Sequence, residues 1–477
     1  MPDGKPEIII IGGGPGGYAA AFHAARSGAR ATLVEKGCLG GVCLHTGCIP
    51  TKTLLASALA LETARRLAEF GIKADPSCHF APDMSAVLTR KEKIRDTLRV
   101  GLEKTCASLN IRLVRGRAGL IAGGALVVSD DGSTERLSAD AIILANGSKI
   151  LELPSLPLDH QRVLSSDDAL NLADVPRRLL VVGGGVIGCE MAFIFREFGA
   201  EVVIVEGLNR LLPLDSVDEE VSRLLLREAK KRRITAITAA TVQRLTHAES
   251  GVRCLVGPSP FVPEAAGQVR EIEADAVLVA VGRAPATEGL NLETVGVSTD
   301  SRGWIVTDER MRTSVPGIYA VGDALGPKRP MLAHTAAAEG ICAVNSILGR
   351  NVVMDYSVIP SAVFTSPEIA AVGMTGAQAA AQGINARASQ TLFRVLGKAQ
   401  AMNELPGFFK LICEEGSGRL LGAHIVGARA SDIVAEAALA LRKGLTAADI
   451  AGTVHAHPTL AEGLCEAAQA WLDATKL

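Results

Sequence analysis

Ile8-Ile9-Ile10-Ile11-Gly12-Gly13-Gly14-Pro15-Gly16-Gly17 decides the fold class. Four consecutive isoleucines read as a strand buried on both faces, the pattern of a parallel sheet. Gly12, Gly14 and Gly17 follow at G-x-G-x-x-G spacing, and a small-residue helical pattern runs on from there to about Ser27. Ala31-Thr32-Leu33-Val34 is the next strand, and it ends at Glu35, 18 residues beyond Gly17. In this order the glycines allow a tight turn, close backbone approach to a pyrophosphate and helix–strand packing. The helix N-terminus offers free N–H groups, and the acid suits ribose hydroxyls.

The same plan recurs. Leu179-Leu180-Val181-Val182 leads into Gly183-Gly184-Gly185-Val186-Ile187-Gly188, and a helix is expected to about Phe198. Glu201-Val202-Val203-Ile204-Val205 then ends at Glu206, again 18 residues past the last glycine (Gly188). A carboxylate there accepts from a 2′-hydroxyl and repels a 2′-phosphate, which favours NAD over NADP; Arg210 stands near enough to weigh against this. Two such sites in one chain suggest two dinucleotides exchanging electrons, a held flavin and a diffusing nicotinamide.

The second unit reads as an insertion into the first. Residues 141–148 close one segment, 276–283 close the inserted one, and Gly317-Ile318-Tyr319-Ala320-Val321-Gly322-Asp323 reads as a returning strand with a carboxylate at its end. Residues 257–267 read as a hairpin loop within the insertion. Beyond about 345 the texture becomes α+β, with strands at 408–413 and 420–426 and helices near 431–443 and 460–471. The expected fold is α/β: two Rossmann-like dinucleotide-binding domains, one inserted in the other, plus a C-terminal α+β domain. The expected segments are 1–150, 151–276, 277–345 and 346–477.

Composition agrees. The 477 residues are enough for about three domains of ~150 residues. Forty-nine basic against 51 acidic residues give a net charge of −2, which disfavours bulk nucleic-acid binding. Only 3% are aromatic, too few for base-stacking platforms. The polar start Met1-Pro2-Asp3-Gly4-Lys5-Pro6-Glu7 and the short run after it do not resemble a signal peptide, and no run reaches the ~20 apolar residues of a membrane span. Ten scattered cysteines are too sparse for a secreted disulfide scaffold, so a cytoplasmic protein is expected.

Cys43-Leu44-His45-Thr46-Gly47-Cys48-Ile49-Pro50-Thr51-Lys52 is the most informative stretch for chemistry. Cα atoms five residues apart on an ideal helix are separated by about 8.6 Å, whereas a disulfide needs roughly 4.4–6.8 Å. If these cysteines bond, the backbone between them is distorted, and Gly47 permits that. Pro50 suits the first turn of a following helix, which would put Cys48 near a helix N-terminus with Lys52 close by, both favourable to a thiolate. Two buried core cysteines are the plainer alternative. A zinc site is disfavoured because no second ligand pair accompanies the motif. Cys38 reads as unpaired, and Cys78, Cys106, Cys189, Cys254, Cys342, Cys413 and Cys465 as structural.

Near the C-terminus, His455-Ala456-His457-Pro458-Thr459-Leu460-Ala461-Glu462 reads as a helix opening at Pro458, with Glu462 about one turn on. Dithiol chemistry needs a base that takes up a proton and returns it, and a histidine oriented by a carboxylate fits. His455 is the less favoured of the two histidines. His23, His45, His79, His160, His247, His334 and His424 show no acidic partner at useful spacing and default to structural roles, with a place near a cofactor as the alternative for His334.

Taken together, these motifs resemble the class I pyridine nucleotide–disulfide oxidoreductases over essentially the whole chain. The resemblance is strongest to members that oxidise a protein-bound dihydrolipoyl group with NAD+. It implies an FAD domain, an inserted NAD domain, a central domain and a C-terminal interface domain that makes a homodimer. It implies FAD contacts at Gly12, Gly14, Gly17, Glu35, Lys52, Ala118, Asn146, Gly147, Ser148 and Asp323, with Met331, Leu332, Ala333 and His334 lining the flavin. Gly183, Gly185, Gly188, Glu190, Glu206 and Gly282 map to the NAD side. Cys48 matches the flavin-proximal thiol and Cys43 the thiol that exchanges with substrate, the two forming a redox-active disulfide. His457 and Glu462 match the acid–base pair that the family supplies from the partner subunit.

The chain departs from the family at His45-Thr46, commonly Asn-Val, and at Asn146, commonly Thr. With no lipoyl-bearing segment evident, the lipoyl group is expected on another protein: a 2-oxoacid dehydrogenase complex, the glycine cleavage system or another lipoate-dependent pathway. Glutathione- and trypanothione-type reductases share the scaffold but use NADPH, against Glu206. Mercuric reductases carry a C-terminal cysteine pair, whereas this chain has Cys465 and ends Asp473-Ala474-Thr475-Lys476-Leu477. A non-catalytic flavoprotein acting as scaffold or redox sensor is the reading from another class, and the intact Cys43, Cys48, His457 and Glu462 weigh against it.

Overall fold

The structure, a computed structural model, describes residues 5–75, 77–129, 131–265 and 267–474. The polar start at 1–4 and the tail at 475–477 lie outside them. The chain divides into two compact units. One comprises the residues up to Thr53, Ser85–Leu151 and Gly282–Tyr356; the other comprises Leu54–Met84, Glu152–Val281 and the residues from Ser357 on.

The first unit is built on a five-stranded parallel sheet. Its strand order is Ile318–Ala320, Ala141–Leu144, Glu7–Ile11, Arg30–Glu35, Arg112–Arg115. Ile8 to Ile11 lie between two neighbours and are at most 5% exposed, which explains a run without polar alternation. The helix Pro15–Arg26 begins with proline in its first turn and buries Gly16, Gly17, Ala20, Ala21 and Ala24. These small residues let another helix, Ala333–Ile347, come close: a Cβ on Gly340 would stand 2.4 Å from the Gly16 carbonyl oxygen. An antiparallel meander, Arg117–Ile121, Gly124–Val128 and Thr134–Ser138, also belongs to this unit.

The second unit repeats the parallel sheet in the order Ile234–Ile237, Glu201–Val205, Arg178–Val182, Ala276–Val279, Val163–Leu164. It repeats the meander too, as Ala240–Ala248, Gly251–Pro258 and Arg270–Ala274, so the expected hairpin loop falls between the last two strands. Every strand of this parallel sheet lies within 163–279, as an insertion requires. The unit also holds an antiparallel sheet, Ser361–Val363, Ile369–Gly373, Leu420–Val426, Phe408–Glu414, Ala386–Leu392, with helices Ala430–Lys443 and Glu462–Asp473. The last helix starts at Glu462 and not at Pro458. The Glu462 carboxylate turns back to accept from the Thr459 N–H at 2.7 Å, leaving Pro458 in the turn ahead of the helix. Among the described residues no helix is long and apolar enough to cross a membrane.

A polar cluster joins the antiparallel sheet 361–426 to the start of the helix Glu219–Lys231. Lys410 Nζ lies 3.0 Å from Asp218 and 3.2 Å from Glu220. His424, opposite Lys410 on the next strand, is fully buried, with Nε2 3.1 Å from the Met374 carbonyl and Nδ1 unpartnered. Burial pushes the imidazole below its ordinary range, outweighing the Asp218 charge, while the Lys410 cation lowers it further. A group whose folded pKa is depressed in this way binds more protons unfolded than folded. The stability it supports is complete above about pH 6.5 and declines by up to ~1.4 kcal/mol per unit as pH falls towards its folded value. Thermal melts from pH 7.5 to pH 5.5 should fall less steeply for His424→Gln than for the parent; parallel slopes would contradict this.

Candidate active site

The two glycine loops share one geometry. Gly12 (φ +108°) and Gly183 (φ +107°) adopt conformations that favour glycine, and added Cβ atoms would stand 2.2 Å from the Ala145 oxygen and 2.3 Å from the Ala280 oxygen. On Gly17 and Gly188 a Cβ would overlap the carbonyls of Gly12 and Gly183, at 1.8 and 1.9 Å. The middle glycines differ in kind. Gly14 has its nearest neighbour, the Gly41 Cα, at 3.8 Å, and Gly185 has nothing within 4 Å. Turn, open approach and tight packing are therefore divided among the three glycines as a bound pyrophosphate requires. The acids repeat as well: Glu35 accepts from the Gly13 and Gly37 N–H groups at 2.6 and 2.7 Å, and Glu206 from Gly184 and Leu208 at 2.5 and 2.7 Å. The Arg210 guanidinium is committed to the Val217 and Leu214 carbonyls and the Ser222 hydroxyl, each at 2.9 Å. Glu190, on the helix Val186–Phe198, is buried and accepts from the Phe364 N–H at 3.0 Å.

Between the cysteines the backbone breaks. A short helix, Gly41–His45, ends at Thr46 (φ −139°, ψ 20°), and a second helix, Cys48–Arg65, begins two residues later. At Gly47 a side chain would stand 3.0 Å from the Val42 carbonyl and 3.5 Å from the Cys43 Cα, so glycine eases the close approach here. The Cys43 and Cys48 side chains are hydrogen-bonded to each other, which brings the two sulfurs together as the expected disulfide requires. The bond to Cys48 and burial both push the Cys43 thiol far up, and the nearby Lys52 opposes them without prevailing. Cys48 is the first residue of its helix, where the helix dipole favours an anion by about 0.3–1 kcal/mol. His45, one of the departures from the family pattern, binds the Leu39 carbonyl through Nε2 at 2.8 Å and ties the short helix to the preceding loop.

Other residues of the first unit flank the first loop. Asn146, at the end of the strand Ala141–Leu144, donates to the Ala286 carbonyl at 3.0 Å, while its Oδ1 is buried without a partner. Gly147 has φ +71° with open space beside it. The Ser148 hydroxyl donates to Asp323 at 2.6 Å and accepts from Arg283 Nε at 2.5 Å. Ala118 lies on the strand Arg117–Ile121, Gly282 accepts from the Leu151 N–H at 3.3 Å, and residues 331–334 lead into the helix Ala333–Ile347. In that helix's first turn the fully buried Thr335 hydroxyl has no partner. Orphaned polar atoms at Asn146 and Thr335, an open Gly14 and a φ-positive Gly147 fit a group with its own donors and acceptors, as FAD has. Tyr18 and Arg283 carry no motif and were not anticipated. The Tyr18 phenol is raised by burial first and then by the charges of Cys43 and Cys48, which puts it near both sulfurs.

In the second unit, His457 Nδ1 lies 2.8 Å from Glu462 Oε1, and the ring is 77% exposed. The Thr459 N–H and then the His457 ring hold the Glu462 carboxyl below its ordinary range. His455 is buried, with Nδ1 2.8 Å from the Thr453 carbonyl and Nε2 2.9 Å from Glu436. Contrary to the sequence expectation, two other histidines have acids as well, because the chain folds back on itself: His160 with Asp168 at 2.9 Å and His247 with Asp159 at 3.6 Å. Cys38 and Cys78 are exposed, Cys465 is half-buried, and Cys106, Cys189, Cys254, Cys342 and Cys413 are buried.

Residues 6–340 match the family described as pyridine nucleotide-disulphide oxidoreductase, and residues 359–468 match that family's dimerisation domain. The chain belongs to this family of flavin- and nicotinamide-linked disulfide oxidoreductases, whose cofactors are FAD and NAD. Among curated proteins it is 40% identical over 466 residues to the dihydrolipoyl dehydrogenase of Haloferax volcanii, covering 97% of this chain and 95% of that one. It is 39% identical over 465 residues to the dihydrolipoyl dehydrogenase of Geobacillus stearothermophilus, covering 98% and 96%. Among solved structures it matches LpdA of Mycobacterium tuberculosis with a TM-score of 0.89 and 28% identity, over 97% of this chain and 99% of that one. The HOCl-induced flavoprotein disulfide reductase RclA of Escherichia coli follows at a TM-score of 0.82, 26% identity and coverage of 97% and 99%.

The glycine geometry separates binding from folding. Gly188→Ala should destabilise the protein by several kcal/mol through its clash with the Gly183 carbonyl. Gly185→Ala should melt within about 2 °C of the parent yet raise KM for NAD+ about tenfold or more. Equal behaviour of the two variants in both melting and steady-state assays would contradict the division of roles.

Proposed function

We propose that this chain is a dihydrolipoyl dehydrogenase: it oxidises a protein-bound dihydrolipoyl group to the cyclic disulfide with NAD+ as final acceptor. The observation that carries this reading is the pair of hydrogen-bonded thiols, Cys43 and Cys48, brought together by the helix break and set beside the first glycine loop. The near full-length likeness to dihydrolipoyl dehydrogenases supports it. In domain terms, residues up to about 151 and from 282 to about 356 form the FAD and central domains, 152–281 the NAD domain, and the residues beyond about 357 the interface through which two chains pair. The protein works in the cytoplasm, in keeping with its sparse cysteines.

Within this assignment each side chain has one task. Gly12, Gly14, Gly17, Glu35, Lys52, Ala118, Asn146, Gly147, Ser148, Asp323 and residues 331–334 hold FAD. Gly183, Gly185, Gly188, Glu190, Glu206 and Gly282 serve NAD. When bound, FAD supplies a two-electron relay between the dithiol and NAD+. The resting Cys43–Cys48 disulfide accepts attack on the Cys43 sulfur by one dihydrolipoyl thiolate, whose proton His457 of the partner chain takes up; the Cys43–Cys48 bond breaks and leaves Cys48 as thiolate. The second dihydrolipoyl thiol then attacks the lipoyl sulfur of the mixed disulfide, closing the lipoyl ring and expelling Cys43, which takes up the proton that this thiol gives up. Glu462 orients the imidazole and stabilises its charged form. With Arg210 already engaged, the buried Glu206 carboxylate favours a free 2′-hydroxyl on the nucleotide.

Dihydrolipoamide with NAD+ should turn over at a steady rate, while oxidised glutathione with NADPH should not; the reverse preference would overturn the assignment. His457→Gln should slow dihydrolipoamide oxidation by ~10²-fold or more and leave NADH oxidation by an artificial acceptor within about twofold of the parent. Equal slowing of both would remove its role as base.

A further inference from the structure

Behind Asp323 lies a buried network that no motif announces. Glu339, on the helix Ala333–Ile347, is 1% exposed. One carboxylate oxygen accepts from the Gly322 N–H at 2.6 Å, and the other accepts from the Tyr356 hydroxyl at 2.6 Å. That hydroxyl in turn accepts from Arg329 at 2.6 Å, and the Arg329 guanidinium lies 5.0 Å from the centre of the Tyr356 ring while also donating to the Thr307 and Asp308 carbonyls. Burial pushes the Glu339 carboxyl above its ordinary range, and the hydrogen bonds from Tyr356 and Gly322 and the charge of Arg329 oppose this.

Gly322 has φ +72° and directly precedes Asp323 in the turn after the strand Ile318–Ala320. The helix that carries Glu339 also rests on Gly16 of the first glycine loop's helix through Gly340. One rigid element thus sets the register of the loop helix and of the Asp323 turn together. A buried carboxylate costs several kcal/mol unless partnered, and here the partners that offset it are the Gly322 N–H of the Asp323 turn and the Tyr356 hydroxyl.

We infer that Glu339, supported by Tyr356 and Arg329, is a positioning residue for the flavin site: it fixes the Gly322–Asp323 turn and so holds the Asp323 carboxylate against FAD. This rests on the flavin assignment of the first glycine loop. Glu339→Gln presents one acceptor where the carboxylate presents two, so either the Gly322 N–H or the Tyr356 hydroxyl faces an amide NH2.

The test uses the full-length holoenzyme and reads FAD release on dilution by the recovery of free flavin fluorescence, with turnover left aside. Glu339→Gln should release FAD about tenfold faster or more. On an Asp323→Asn background the added effect should shrink to less than about threefold, because the two substitutions act on one contact. Release at the parent rate, or the same fold-change on both backgrounds, overturns the inference and leaves the flavin assignment standing. A parent protein that holds no FAD overturns both. If Glu339→Gln does not fold, Tyr356→Phe carries the test: it keeps the ring and removes the hydroxyl, and FAD release several-fold faster supports the inference, whereas parent-like release overturns it.

Discussion

Two sulfur atoms five residues apart cannot meet along an unbroken helix, and the chemistry of this protein depends on their meeting. The chain solves this at Thr46–Gly47, where one short helix stops and a long one starts. The break also gives the two thiols different surroundings. Cys43 lies before it, half-buried and with its thiol pushed up by burial and by the bond to Cys48, whereas Cys48 opens the new helix, where the dipole favours an anion. Glycine at position 47 relieves the break of a tight contact with the Val42 carbonyl.

Around this pair the fold uses one backbone device twice. In both parallel sheets a φ-positive glycine ends the first strand, a third glycine packs on the first one's carbonyl, and a carboxylate from the next strand caps the loop N–H groups. Both sheets are followed by a three-stranded meander before the final strands. The duplication specifies only where a pyrophosphate can approach. What separates the sites is the neighbourhood: the first unit adds the dithiol, Ser148–Asp323 and the Glu339 network, whereas the second adds a buried Glu206 and an engaged Arg210.

Much of this was legible before any coordinates. Glycine spacings, apolar runs and strand-end acids report backbone constraints that are local in sequence. The two Rossmann-like units and the strands 420–426 and 201–205 accordingly fell where they were read. The start of the last helix was misplaced because Pro458 suits a first turn, and only the fold shows the Glu462 carboxylate reaching back to Thr459. His160 and His247 find acids through chain reversals, and the Glu339–Tyr356–Arg329 network joins residues up to 27 apart, so neither leaves a periodic trace. The first meander and the long helix Met84–Ser108 were not anticipated. That helix is rich in charge, with little amphipathic contrast, so its pattern signals weakly.

The central claim is that Cys43 and Cys48 cycle between bonded and free forms under the control of NAD. Alkylating the full-length holoenzyme with iodoacetamide before and after one equivalent of NADH, and mapping the label by mass spectrometry, tests it most directly. The account predicts that both are protected beforehand and that label appears on the Cys43/Cys48 pair only on reduction, while the exposed Cys38 and Cys78 are labelled alike in both states. Labelling at Cys43 and Cys48 that NADH does not change would contradict it.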